Sequence, residues 1–498
     1  MNISLILQMA ADADPARIGM VCEGRRWTYD ALWRAANQAA KIFSQGNFRY
    51  VGLLDESSEA APIALFGAAI AGIPYVPLNY RLADADLAAL LTRIAPAYLI
   101  GDVDRIERLN PGIGHKAVSR ASFVSAVEAN DDTLPELAET DADIAAQIFT
   151  SGTTAAPKAA LLRHSNLLSY ILGTVEFCSA EEDEAALVCV PPYHIAGIAA
   201  LLSSVYAMRR ILLLPAFEPD AWVTLAGSER ATNAFLVPTM LARVIAHMDT
   251  GVTPDLSSLQ AIAYGGGRMP LDLIGRALDL FPGTHFTNAY GLTETSSTVA
   301  LLGPEDHRIA HGSQDPVVQA RLGSVGKPLP TVEIEIRDEQ GRVAAPGERG
   351  EIYVRGDQVS GEYLEKKTID SDGWFPTRDA GWLDAEGYLF LAGRADDVIV
   401  RGGENISPGE IEDVLRTHTA IADAAAVGIP SLEWGEAVGV AVVVKDNQAQ
   451  PSVEELASLI KNRLRSSRVP EQILFLEALP HNEMGKLLRR KVKELFEI

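Results

Sequence analysis

At 498 residues the chain is too long for one hydrophobic core, and core-size scaling suggests roughly three structural units. Hydrophobic residues make up 48% and charged ones 22%, which excludes an intrinsically disordered chain. An excess of 66 acidic over 43 basic residues leaves a formal charge of −23, arguing against nucleic acid or an anionic membrane surface as the main partner.

The first residues lack the basic-then-apolar pattern of a secretory signal, and the chain reads as cytoplasmic. VGLLD (51–55) has the character of a strand, residues 59–71 that of a helix stopped by Gly72, and IPYVPL that of the next strand. Ala61 to Leu78 is the longest apolar run. Gly72, Pro74 and Pro77 divide it into a buried helix of about three turns and a short strand, too broken for a membrane span. AYLIGD, AAQIFTSG, AALVCVPP, RRILLLPAF, TNAFLVPT and LQAIAYGGG continue the strand series, with helices such as Leu271 to Leu280 between them. Such alternation predicts an α/β domain with layered, buried sheets. After about residue 320, TVEIEIRD, GEIYVRG and GYLFLAGR alternate polar with apolar, the pattern of a small antiparallel sheet or β-barrel-like region. A compact α+β segment follows from Asp396, with helices from Pro408 and Val453 and a last basic helix from Lys486 to Phe496. Cys22, Cys178 and Cys189 lack metal-ligand spacing and cannot all pair, so free thiols in a reducing compartment are expected.

Thr150 to Lys158 (TSGTTAAPK) directly follows the apolar AAQIF. Thr150, Ser151, Thr153 and Thr154 bring hydroxyls, Gly152 flexibility and Lys158 a cation, a set suited to wrapping phosphate oxygens. Walker spacing is missing, and a polar surface turn has the same composition. In NAYGLTET, Tyr290 offers a ring face to a purine, while Thr293 and Glu294 provide the oxygen ligands that a phosphate-bound Mg2+ prefers. A tyrosine–glycine turn with a helix cap fits the same letters. Gly265, Gly266 and Gly267 end a strand and permit close approach by a flat ligand, without the G-x-G-x-x-G spacing of a dinucleotide fold. Asp379 and Arg394 can hold ribose hydroxyls. Lys486 lies between a glycine and the last helix, where a solvated lysine is the plain alternative.

In this order the phosphate-type loop, YGLTE, GRADD (393–397) and MGK (484–486) make the whole chain resemble the adenylate-forming superfamily of acyl-CoA synthetases, peptide-synthetase adenylation domains and luciferases. The resemblance implies a large N-terminal domain, 1–395, and a small mobile domain, 396–498, turning about the hinge Asp396 between two half-reactions. It implies ATP, Mg2+ and CoA as ligands and a small carboxylic acid as substrate. In the first half-reaction Thr150 to Lys158 would grip the β- and γ-phosphates, with Glu294 on Mg2+ and Thr293 near the α-phosphate. Lys486 would stabilise charge as the acid attacks. Gly265 to Gly267 with Asn288, Ala289 and Tyr290 would flank the adenine, and Asp379 and Arg394 the ribose. In the second half-reaction Gly402, Gly403 and Glu404 would line the pantetheine path, with Trp434 against the CoA nucleotide or simply packed in an interface. PPYHIAG places His194 as a gate or carboxylate neighbour of the acyl pocket, with a core histidine as the rival reading; Tyr193, Phe235 and Gly267 are expected around it.

Three positions depart from the resembled pattern. Ala155 and Ala159 replace glycines of the phosphate loop, and Arg378 stands where Thr-Gly-Asp is common. An alanine forced to positive φ costs about 1–2 kcal/mol, so a ligase that only thioesterifies a preformed acyl-adenylate stays open. A carrier-protein thiol as acceptor and a catalytically silent nucleotide- or acyl-binding protein stay open too. The acid itself is not legible in the residues, and a homodimer is the default assembly.

Overall fold

The computed structural model describes residues 2–109, 114–129, 143–150, 157–252, 254–394, 397–402, 404–482 and 487–496. Ser151, Gly152, Thr153, Thr154, Ala155, Asp396, Gly403 and Lys486 lie outside the described residues.

Among the described residues the strands form four sheets. Six strands, in the order Lys116–Val118, Ala97–Gly101, Tyr50–Leu54, Tyr75–Pro77, Ile144–Thr150 and Lys158–Arg163, form one sheet, parallel except for the last pair. Nine form the next, whose central run of Arg210–Leu213, Ala185–Val188, Asn233–Leu236, Ala261–Gly265 and His285–Leu292 is parallel. Helix Ala60–Ala71 is buried from Ala60 through Ile70, the state expected of a helix that is apolar all round. One continuous core joins it to Val51 and Leu53 of the six-stranded sheet and to Met20 and Ile211 of the nine-stranded one. Gly72, at φ 67°, ends this helix with its N–H on the Ala68 and Ala69 carbonyls. The longest apolar segment is therefore an interior helix, and no helix among the described residues is long and apolar enough to cross a membrane.

The alternating region after residue 320 forms an antiparallel sheet of Glu333–Arg337, Gly350–Arg355, Phe375–Leu383 and Leu389–Arg394. Sequence alternation does not mark Phe375–Leu383, because Pro376, Arg378 and Gly381 interrupt it. The C-terminal unit has a five-stranded sheet built on the long hairpin Ile421–Ser431 and Gly435–Val444, with helices Pro408–Arg416 and Val453–Arg463 packed on it. The last helix is Arg489–Glu494, not Lys486 to Phe496. Leu487 bridges to His481, and Leu488 donates its N–H to the Pro480 carbonyl at 2.8 Å, which holds these residues extended before the helix starts. All three cysteines are free, and burial pushes the Cys189 thiol up to about 12, leaving it inert.

Candidate active site

Thr150 and Lys158 face each other as the last pair of an antiparallel ladder, so they form the two posts of the phosphate-type loop. Ala159 follows in register with Phe149, fully buried and outside the left-handed backbone region. Its methyl is accommodated in ordinary strand geometry, and the concern over lost glycines narrows to Ala155. On its free side this strand meets residues 360–364: Leu364 N–H reaches the Ala159 carbonyl at 2.9 Å, and Leu161 N–H reaches the Glu362 carbonyl at 2.9 Å. Arg163 locks the junction with a forked contact to the Glu362 carboxylate at 2.9–3.0 Å.

The same short segment holds Glu294. Strand His285–Leu292 ends in the tight turn Thr293–Thr295, closed by Leu292 N–H on Thr295 Oγ1 at 2.9 Å. Ser296 and Ser297 then adopt φ values of 56° and 122°, backbone that side chains rarely occupy and that functional sites tend to store. The Glu294 carbonyl accepts the N–H groups of Ser360 at 2.9 Å and Gly361 at 3.2 Å, and Tyr363 donates its phenol to Glu294 Oε1 at 2.5 Å. Lys158 Nζ lies 5.7 Å from the centroid of the Tyr363 ring. Burial, aided by the Glu294 charge, raises the Tyr363 phenol well above its ordinary value, so it stays a donor.

Next to this cluster the glycine run and the ribose candidates come together. Gly265 pairs with Ala289, and a Cβ on it would stand 2.3 Å from the Ala289 carbonyl oxygen. Gly266 has φ 75°, and Gly266 and Gly267 are exposed, leaving a bare backbone edge. Behind it Tyr264 shares a 2.8 Å hydrogen bond with His307 Nε2, and His307 Nδ1 sits 2.7 Å from the Gly303 carbonyl. Asn288 donates to the Ser324 carbonyl at 3.0 Å. Tyr290 donates to Asp379 Oδ2 at 2.6 Å, and Arg394 lies across the ladder from Asp379 with Nε 3.3 Å from Oδ1. Tyr290, Asp379 and Arg394 thus form one connected set. The Tyr290 ring belongs to the core of the antiparallel sheet, a setting the purine-facing expectation did not include.

His194 stands at the N-cap position of helix Ile195–Tyr206, half-buried, with its ring 4.6 Å from that of Tyr193. Tyr80, which the sequence did not single out, packs edge-on to Tyr193 at 5.6 Å. Phe235 lies 3.6 Å from the Cβ position of Gly265, tying an acyl-pocket candidate to the glycine edge. In the C-terminal unit Gly402, at φ 56°, donates to the Trp434 carbonyl at 2.9 Å, and a Cβ on it would stand 2.8 Å from the indole. The Arg401 guanidinium covers the same ring at 5.6 Å. Glu404 is taken up by Arg468, which holds its carboxyl below the usual range.

These residues fit a magnesium nucleotide. Among the described residues no group of three or more His, Cys, Asp or Glu makes a metal cage. Mg2+ is commonly held by one or two carboxylates plus substrate phosphates, which is what Glu294 beside Lys158 can offer. Residues 7–364 match the family described as AMP-binding enzyme, and residues 410–486 match its C-terminal domain. The chain belongs to the AMP-binding enzyme family. This AMP-binding enzyme is 33% identical over 483 residues to a feruloyl-CoA synthase of Amycolatopsis sp, covering 95% of this chain and 94% of the relative. It is 31% identical over 504 residues to the fatty acid–[acyl-carrier-protein] ligase ScoC of Streptomyces coeruleorubidus, covering 98% and 95%. The o-succinylbenzoate CoA synthetase of Bacillus subtilis, solved with its acyl-adenylate intermediate, matches with a TM-score of 0.85 at 28% identity, over 98% of this chain and 97% of that one. That synthetase has also been solved with ATP and magnesium ion. The AMP-binding enzyme is accordingly an adenylate-forming ligase with a large α/β domain and a small C-terminal domain.

Proposed function

We propose that this ligase is an acyl-CoA ligase, which activates a carboxylic acid with ATP and passes the acyl group to CoA. The observation that carries the reading is a pair of anchored clusters gathered at the end of strand His285–Leu292, which pairs with the glycine-bearing strand: Lys158, Tyr363 and Glu294 form one, and Tyr290, Asp379 and Arg394 the other. The first suits a triphosphate and the second a ribose. In this reading a carboxylate oxygen attacks the α-phosphorus, pyrophosphate leaves, and Lys486 steadies the developing charge from the small domain, 396–498, hinged at Asp396. Bound Mg2+ would supply neutralisation of the phosphate charge at Glu294. The CoA sulfur then attacks the acyl carbon and AMP leaves, with the Trp434 indole, packed on Gly402, giving the approach a flat aromatic floor. His194, Tyr193 and Tyr80 form the aromatic group assigned to the acid.

A carrier-protein thiol is the second reading, favoured by the exposed Leu432 at the hairpin tip that also bears Trp434. The first test is exchange of labelled pyrophosphate into ATP, run over a panel of carboxylic acids without CoA. One class of acid is expected to support exchange. Lys486→Ala should cut it by roughly 100-fold or more while sparing thioester formation from a synthetic acyl-adenylate. If no acid supports exchange but the adenylate is still thioesterified, the enzyme lacks the first half-reaction and the proposal is wrong.

A further inference from the structure

We propose that Tyr363 is a positioning residue for the metal-bearing carboxylate: its phenol holds Glu294 in the orientation that meets the Mg2+ of bound Mg·ATP. The inference rests on the reading of Glu294 as the Mg2+ ligand. Three observations support it. The phenol occupies Glu294 Oε1 at 2.5 Å, which leaves the second carboxylate oxygen for the ion. The Tyr363 ring also lies 5.7 Å from Lys158 Nζ, so one side chain connects the carboxylate with the lysine of the phosphate loop. The backbone around Tyr363 is stapled to both partners: Ser360 and Gly361 donate to the Glu294 carbonyl, while Ala160 pairs with Tyr363 and Leu364 donates to Ala159.

A carboxylate only 9% exposed and held at both its carbonyl and its side chain has one orientation to offer an incoming cation. Hydrogen-bond partners that orient metal ligands in this way are typically worth about 10–100-fold in metal affinity. Tyr363 sits 69 residues from Glu294 in sequence and outside every motif read from the chain, so only the fold reveals the pairing.

Calorimetric titration of the full chain, without acid or CoA, tests the role apart from turnover. Tyr363→Phe should weaken Mg·ATP binding roughly tenfold while AMP binding in EDTA stays within about twofold of the unsubstituted protein. In the Glu294→Gln background, Tyr363→Phe should add little further loss, because both substitutions act through one ligand. Unchanged Mg·ATP affinity in Tyr363→Phe would overturn the role, as would equal losses for AMP and Mg·ATP or full additivity with Glu294→Gln. A structure of the unsubstituted Mg·ATP complex gives the same answer without a variant. The phenol is expected on Glu294 while the carboxylate ligates Mg2+, and their separation there would contradict the role. If the unsubstituted chain binds no Mg·ATP, the ligase reading itself fails and takes this one with it; binding that Tyr363→Phe leaves intact removes only the role of Tyr363.

Discussion

Arg378 sits at φ 63° between Thr377 and Asp379, in backbone that costs a side chain about 1–2 kcal/mol relative to glycine. Its guanidinium is mostly exposed and stands 3.8 Å from Glu351, too loose and too solvated to repay that cost. Arg378→Gly should therefore raise the unfolding free energy by about 0.5–1 kcal/mol, after allowing for the extra chain entropy of glycine. Urea denaturation measures it; an unchanged or lower midpoint would mean that the Glu351 contact outweighs the strain. Ser296 carries strain of the same kind beside Glu294, with φ 56° and a fully buried hydroxyl that has no hydrogen-bond partner among the described residues. At this scale the sequence singled out Glu294, Asp379, Arg394 and the glycine run as candidates, because each lies in a short stretch of unusual composition. Tyr363 and Tyr80 were illegible: each acts through a partner far along the chain, and no local pattern records such a contact.

Strands and helices show where local pattern suffices. Leu271–Leu280 was legible to the residue because proline precedes it and its apolar face repeats with helical period. Phe375–Leu383 was not, since its bulge and left-handed residue break the alternation. The last helix was overextended because composition cannot show that Leu487 pairs with His481. Two substitutions test how elements hold the site. Gly265→Ala places a methyl against the Ala289 carbonyl, so it should cost about 1–3 kcal/mol and weaken AMP binding, as read by denaturation and calorimetry. Arg489, three residues beyond Lys486, is half-buried against the buried Glu412, donates to the Ala426 carbonyl at 2.7 Å and lies 3.6 Å from Asp397, next to the proposed hinge residue Asp396. Burial alone would raise the Glu412 carboxyl, but the Arg489 charge outweighs it and holds the carboxyl below its usual value. Its stabilisation is thus fully present above the unfolded value of about 4.3 and is lost as pH falls through the lower folded value. Glu412→Gln should cost about 3–5 kcal/mol at neutral pH and flatten the acid limb of stability below about pH 4.3, measured by urea melts from neutral to acid pH.

On the scale of the whole molecule, a formal charge of −23 must coexist with the polyanionic substrates of the proposed reaction. Local cations are in place for this: Lys158 lies over Tyr363 and Arg394 beside Asp379, at the proposed nucleotide site, and Arg401 lies over Trp434 in the C-terminal unit. The proposed reading gives the nucleotide and the CoA thiol to different domains, which predicts separable defects. Trp434→Ala should raise the KM for CoA roughly tenfold, the size of one aromatic stack of about 1–3 kcal/mol, and leave acid-dependent pyrophosphate exchange intact. A loss of exchange in that variant would place Trp434 in the first half-reaction instead.

The most direct measurement supplies the purified protein with Mg·ATP, CoA and a panel of carboxylic acids and quantifies AMP, pyrophosphate and acyl-CoA separately. An acyl-CoA ligase forms the three products in equal amounts with at least one class of acid. Pyrophosphate and AMP without acyl-CoA would show that CoA is not the acceptor, and acyl-CoA formed only from added acyl-adenylate would show that ATP is not the source of activation.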